Sequence, residues 1–205
     1  MGTDIPVRCA CGALQGSALA LAPNAGARII CYCDDCQAFA RFLGRPGITN
    51  ERGGTDIFQM APARVRLTSL DALACVRLSE KGMHRWYCRE CKGPVGNTLG
   101  PKVPFVGVIH TFFDIPAGAE RDRLLGPPLA HMLTRFATGG PLPEDTPRGT
   151  LRVMTRAARL LATWWLTGAG SPSPFFDGEP RGPRVPPRIL SADERLSLRP
   201  APAGA

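Results

Sequence analysis

Short runs in which apolar and polar residues alternate, repeatedly interrupted by glycine or proline, fill the first 115 residues of the chain. "ARIICYC", "TDIFQM", "ARVRLTSL", "ACVRLSE", "HRWYC" and "PFVGVIHTFFDI" have the composition of strands, and "GRPG", "RGG", "EKG" and "KGP" stand between them as turns. "VRLT" and "VRLS" alternate as half-buried strands do, whereas "PFVGVIHTFF" is continuously apolar and predicts a central strand. The pattern predicts a mostly antiparallel β domain over residues 1–115. One short helix is predicted within it, in "DCQAFARFLG", with Gly44 as its stop.

Beyond residue 116 the texture changes. "AERDRLLGPPLAHMLTRFATGG" and "TPRGTLRVMTRAARLLATWWLTGAG" predict a helical extension over 116–170. In the second segment Leu151, Met154, Ala158, Leu161 and Trp165 fall near helical spacing, with Arg152, Arg156 and Arg159 gathered on the other side. Such a stripe is expected to pack on the β domain rather than to lie on a membrane surface. Residues 171–205 carry eight prolines. They are expected to be extended over the surface or disordered, without regular secondary structure.

Composition narrows the partners. At 205 residues and 44% hydrophobic, the chain can bury one sizeable core. The net charge of +8 is spread evenly: 13 basic against 9 acidic residues up to position 115 and 12 against 8 after it give +4 each. No element concentrates Lys and Arg with aromatic residues, so a nucleic-acid partner is not expected. The N-terminus has no signal-peptide pattern, position 6 is Pro6 where a myristoylation motif needs Ser or Thr, and no run of eighteen apolar residues exists. The expectation is a cytoplasmic protein without a transmembrane segment. In that setting eight cysteines gathered in short clusters point to metal or redox chemistry instead of disulfides.

Seven of the cysteines form three knuckles: Cys9 and Cys11 in "CAC", Cys31, Cys33 and Cys36 in "CYCDDC", and Cys88 and Cys91 in "CREC". Thiolates one or two residues apart reach a common metal ion, and a closed zinc site takes four of them. Seven ligands serve two ions only as four plus three. Pairing CxC with the distant CxxC gives one closed site from Cys9, Cys11, Cys88 and Cys91. The triplet Cys31, Cys33 and Cys36 is left with a fourth position for water, a substrate sulfur or a carbonyl oxygen, which is the mark of catalytic zinc. Alternatively His84, His110, His131, Asp34 or Asp35 closes it. Asp34 and Asp35 otherwise belong to a solvated loop, and Tyr32 is a wall or hydrogen-bond donor at the site. Cys75 stands alone between apolar residues and is expected in the core. In "HRWYC", Trp86 is expected inside and Arg85 outside.

The order CxC, CxCxxC about twenty residues later, then "GMHRWYCREC" followed by "GPV", resembles the glutathione-dependent formaldehyde-activating enzyme family, whose domain also occurs in centromere protein V. The likeness covers roughly residues 5–115. It implies a β-tent fold of small antiparallel sheets, a structural zinc on Cys9, Cys11, Cys88 and Cys91, and a catalytic-type zinc on Cys31, Cys33 and Cys36. It also implies a carbon–sulfur lyase that joins formaldehyde to the thiol of glutathione, with a small-molecule thiol as partner. The chain departs from that pattern at Tyr32, where histidine is frequent, at Lys92, where glycine is usual, and in its last 90 residues, which have no counterpart. Two functions follow: a zinc-dependent lyase-like enzyme, or a non-catalytic zinc scaffold whose extension binds partners or a second copy in a homo-oligomer.

Overall fold

The structure, a computed structural model, describes residues 2–140, 142, 146, 151–178 and 180–199. The strands are β1 (Thr3–Arg8), β2 (Gln15–Leu21), β3 (Ala27–Cys31), β4 (Thr55–Met60), β5 (Val65–Leu67), β6 (Leu73–Arg77), β7 (His84–Cys88), β8 (Pro94–Thr98), β9 (Val106–Ile109), β10 (Ala130–Met132), β11 (Phe176–Asp177), β12 (Gly182–Pro183) and β13 (Arg188–Ile189). The helices are α1 (Asp34–Leu43), α2 (Ala119–Leu125), α3 (Leu151–Leu166) and α4 (Ala192–Ser197).

Eight strands form one sheet in the order β10-β3-β4-β9-β8-β7-β6-β13, a second sheet has the order β1-β2-β5, and β11 pairs with β12. The first nine strands pair antiparallel throughout. The class is mainly β, as the alternation predicts, and β9, from the most continuously apolar run, is interior to the large sheet. Period-two alternation then sorts residues onto two faces. Phe58, Met60, Trp86, Val95, Val106 and Val108 meet Ile5, Val7, Ala18, Leu21 and Val65 of the smaller sheet. On the opposite face Val76, Tyr87 and Ile109 receive Phe39 and Leu43 of α1. Trp86 is fully buried and donates its indole N–H to Thr98 Oγ1 at 2.9 Å, so its one polar atom is satisfied.

The helix predicted after the cysteine triplet is α1, ended by Gly44 in the left-handed conformation (φ 64°). Other expectations need correction. "AERDRLLGPPLAHMLTRF" is not one helix: α2 stops at Gly126 (φ 78°), where Pro127 and Pro128 supply no N–H, and "AHM" becomes β10, parallel to β3. In α3 the predicted core stripe faces outward: Leu151 is 78%, Met154 64% and Trp165 70% exposed, Ala158 is exposed as well, and only Leu161 is partly buried. Trp164 and Val153 turn inward instead, and Arg156, expected on the solvent side, donates to the carbonyls of Pro23 and Gly26, both at 2.8 Å. The helix is apolar on two sides, and burying the indole of Trp164 together with two charge-assisted hydrogen bonds selects the side that the stripe count misses. Residues 147–150, the side chain of Arg152 and the last residues, 200–205, lie outside the described residues.

The proline-rich tail also carries more structure than predicted. Its prolines flank short elements: Phe175 and Phe176 pack on Trp86 with ring centroids 5.2 and 5.7 Å away, β13 extends the large sheet, and Ser191 and Glu194 form a capping box on α4. Among the described residues no helix is long and apolar enough to cross a membrane.

Candidate metal centres

At the end of β1 the chain turns back on itself through hydrogen bonds from Gly12 N to Cys9 O and from Cys9 N to Leu14 O. This presents Cys9 and Cys11 toward the turn after β7, where Lys92 N donates to Cys88 O. The four sulfurs of Cys9, Cys11, Cys88 and Cys91 lie within 4.8 Å of one another. Cys9 Sγ and Cys11 Sγ are 3.5 Å apart, and Cys11 Sγ and Cys88 Sγ 3.8 Å. A tetrahedron with metal–sulfur bonds of about 2.3 Å has edges of about 3.8 Å, so the donor set fits a zinc-sized ion. Backbone N–H groups support the negative charge such a site needs. Burial alone would raise the Cys91 thiol, but the N–H groups of Cys11 and Gly93 aimed at its sulfur bring it down to about 6, while burial pushes Cys88 up to about 12. Lys92 explains its own departure from glycine: the turn requires φ +57° there, a conformation that favours glycine, and its ammonium lies over the Tyr87 ring at 5.3 Å.

The triplet comes together at the junction of β3 and α1. Cys31 is the last residue of β3 and is paired on both sides, to Thr55 of β4 and Met132 of β10. Cys33 caps α1, its sulfur accepting the N–H of Cys36 at 3.3 Å, and Cys36 is in the first turn. The positive end of the helix therefore faces the sulfurs. All three sulfurs lie within 4.8 Å of one another, and among the described residues no histidine, carboxylate or further cysteine joins them. The residues that would have closed the site are occupied elsewhere. His84 stacks on Trp86, His110 Nδ1 faces the carbonyl of Asp56 at 3.3 Å, and His131 pairs with Tyr32. Asp34 and Asp35, expected as solvated loop residues, belong to the first turn of α1 and pair with arginines: Asp34 with Arg199 at 3.4 Å, Asp35 with Arg195 at 3.2 Å and Arg85 at 3.8 Å.

Arg85 departs from the outward position expected of it. It is buried, not outward: its Nη1 lies 4.0 Å from Cys36 Sγ and 3.3 Å from Asn97 Oδ1. Alternation with Trp86 is correct, but β7 is covered on both faces, by the small sheet on one and α1 on the other, so the second face is interior too. The Cys31 and Cys33 thiols, and then the Arg85 guanidinium, hold Cys36 well below the usual thiol range.

The extension walls the triplet. Met132 and Val153 pack with Ile29 and Ile57 around the sulfurs, and Tyr32 N donates to Met132 O at 3.0 Å. Tyr32, fully buried between Cys31 and Cys33, accepts from Asn50 Nδ2 at 3.3 Å and shares a hydrogen bond with His131 Nδ1 at 3.0 Å. Gln37 Nε2 ties this wall together by donating to Tyr32 O at 2.9 Å and Phe136 O at 2.8 Å. Gly54 makes the close fit possible, because a Cβ there would sit 2.7 Å from the Tyr32 ring. Cys75, as expected, is in the core.

A mainly β body with a four-sulfur and a three-sulfur cluster defines a protein equipped to hold two metal ions. The chain belongs to a family of unknown function, DUF6151, whose model matches residues 1–183, so the match stops before β13 and α4. No curated protein matches it.

Proposed function

We propose that the protein is a two-zinc β-tent enzyme of the carbon–sulfur lyase type, acting on the adduct between a small thiol and formaldehyde. The observation that carries this reading is the convergence of Cys31, Cys33 and Cys36 with no fourth histidine, cysteine or carboxylate among the described residues. The other cluster joins the end of β1 to the β7–β8 turn, which suits a structural ion stapling the two sheets.

Zinc at the triplet would hold a substrate sulfur as thiolate or polarise a carbonyl oxygen at its one open position. In the forward direction the sulfur–carbon bond forms as the carbonyl electron pair moves to oxygen, and that oxygen takes the proton lost by the thiol; cleavage is the reverse. Three thiolates and a divalent ion leave one net negative charge, and Arg85 stands beside Cys36 to offset it. Ile29, Ile57, Met132 and Val153 keep the surroundings apolar, which strengthens each charge interaction inside. The Tyr32–His131 bond fixes the loop between the first two ligands.

Metal analysis should find two zinc ions per chain, and Cys33→Ser should remove one while leaving a folded protein. The variant should also lose any acceleration of adduct formation between formaldehyde and glutathione followed by NMR exchange. Retention of both ions in Cys33→Ser and Cys36→Ser would overturn the three-ligand site. Loss of one ion with no acceleration by the wild type would leave the alternative, a zinc scaffold, which the clasp of Arg195 and Arg199 on Asp35 and Asp34 favours.

A further inference from the structure

The outward face of α3 is an apolar surface that the metal centres leave unexplained. Leu151, Met154, Trp165 and Leu166 are 64 to 78% exposed, and Ala158 and Ala162 lie between them on the same side of the helix. Four large exposed apolar side chains on one helix exceed what scattered surface residues account for. The apolar surface continues into a groove of about 230 Å³ between α3 and the sheet, lined by Met83, Leu99, Phe105, Leu160 and Leu161.

The charged residues of α3 itself are all arginine. No acidic residue falls within the helix, and Arg159 is exposed, while Arg156 is turned inward to the carbonyls of Pro23 and Gly26. At its C-terminal end a cavity of about 570 Å³ places Lys102 and Arg181 beside Trp164 and Trp165, with no carboxylate among the described residues of its lining. An apolar helix face bearing Trp and Leu, flanked by arginine, matches the chemistry of an anionic bilayer surface. A second copy matches less well, since pairing α3 with itself brings arginine-bearing helices together with no acid on either. A 16-residue helix, about 24 Å long, also offers little of the roughly 800 Å² per partner of a stable interface.

We infer that the exposed face of α3 (Leu151, Met154, Trp165 and Leu166) docks the protein on anionic lipid, lying in the headgroup plane without crossing the bilayer. Trp86 and Trp164 are buried and Trp165 is not, so a shift of tryptophan emission to shorter wavelength reports insertion of Trp165. The full chain is sedimented with vesicles of phosphatidylcholine alone or with one-third phosphatidylglycerol at low salt. Binding and the emission shift are expected only with the anionic vesicles. Arg159→Gln should weaken binding about fivefold. Leu151→Ser with Leu166→Ser should weaken it tenfold or more, with the melting temperature and metal content unchanged because both side chains face solvent. Failure to sediment with either vesicle, or equal binding to both, overturns the inference. So does a concentration-dependent dimer that the double variant dissolves, which would assign the face to a second copy.

Discussion

Replacing Arg85 with Met tests whether the buried cation belongs to the triplet centre or only to the sheet. Methionine keeps most of the volume beside Phe39, whose ring lies 5.5 Å from the guanidinium, and removes the charge 4.0 Å from Cys36 Sγ. At that distance and an effective dielectric of about 20, one thiolate and one guanidinium attract by about 4 kcal/mol. Part of this offsets the cost of keeping Arg85 out of water, and Asp35 retains Arg195 as a partner when Arg85 is gone. A net loss of about 1.5–3 kcal/mol, the range for a charged hydrogen-bonded contact, is the appropriate figure. Zinc at the triplet should therefore bind roughly ten- to a hundredfold more weakly. Competition with a chromophoric chelator measures this, with the four-cysteine site of the same chain as internal control, and Arg85→Lys should recover part of the loss. Unchanged affinity at the triplet, or equal weakening at both sites, would refute the argument.

Cys9→Ser should cost the four-sulfur site its ion and lower the melting temperature markedly, because an ion held there would join β1 to the β7–β8 turn; calorimetry with and without zinc checks it. Leu190→Ala should destabilise by about 2–3 kcal/mol in denaturant unfolding, since Leu190 is buried in the cluster that joins α1 to the large sheet. Burial lowers the pKa of His84, His110 and His131 below the ordinary histidine value. The unfolded chain then binds more protons than the native one as pH falls through about 6.5, so stability is present above that pH and is lost below it, with a slope of at most about 1.4 kcal/mol per pH unit per histidine. His84→Gln should flatten the profile between about pH 7 and 5 relative to the wild type.

Seven cysteines, their four-plus-three grouping, α1 and the central position of β9 were legible from spacing and alternation, because thiolate chelation and strand periodicity are local properties. β1, β2 and β8 carry Pro6, Gly16 and Gly96 within "TDIPVR", "QGSALAL" and "PVGNT", and gave no strand signal; they form because partner strands supply the ladder. The position of Arg85 depends on α1 covering the second face of β7, a fact of tertiary structure that no window around "HRWYC" contains. The same is true of the wall from Met132 and Val153, which come from an extension whose strand β10 is three residues long. In α3 the sequence offered two apolar sides, and the choice between them rested on Trp164 and on two carbonyls near Pro23.

X-ray absorption at the zinc edge, on protein loaded with zinc, before and after adding glutathione, tests the three-ligand centre most directly. The average first shell should begin near 3.5 sulfurs and 0.5 light atoms per zinc and move to four sulfurs as the thiol binds. A first shell of four sulfurs without added thiol, or one that the thiol leaves unchanged, would contradict the account.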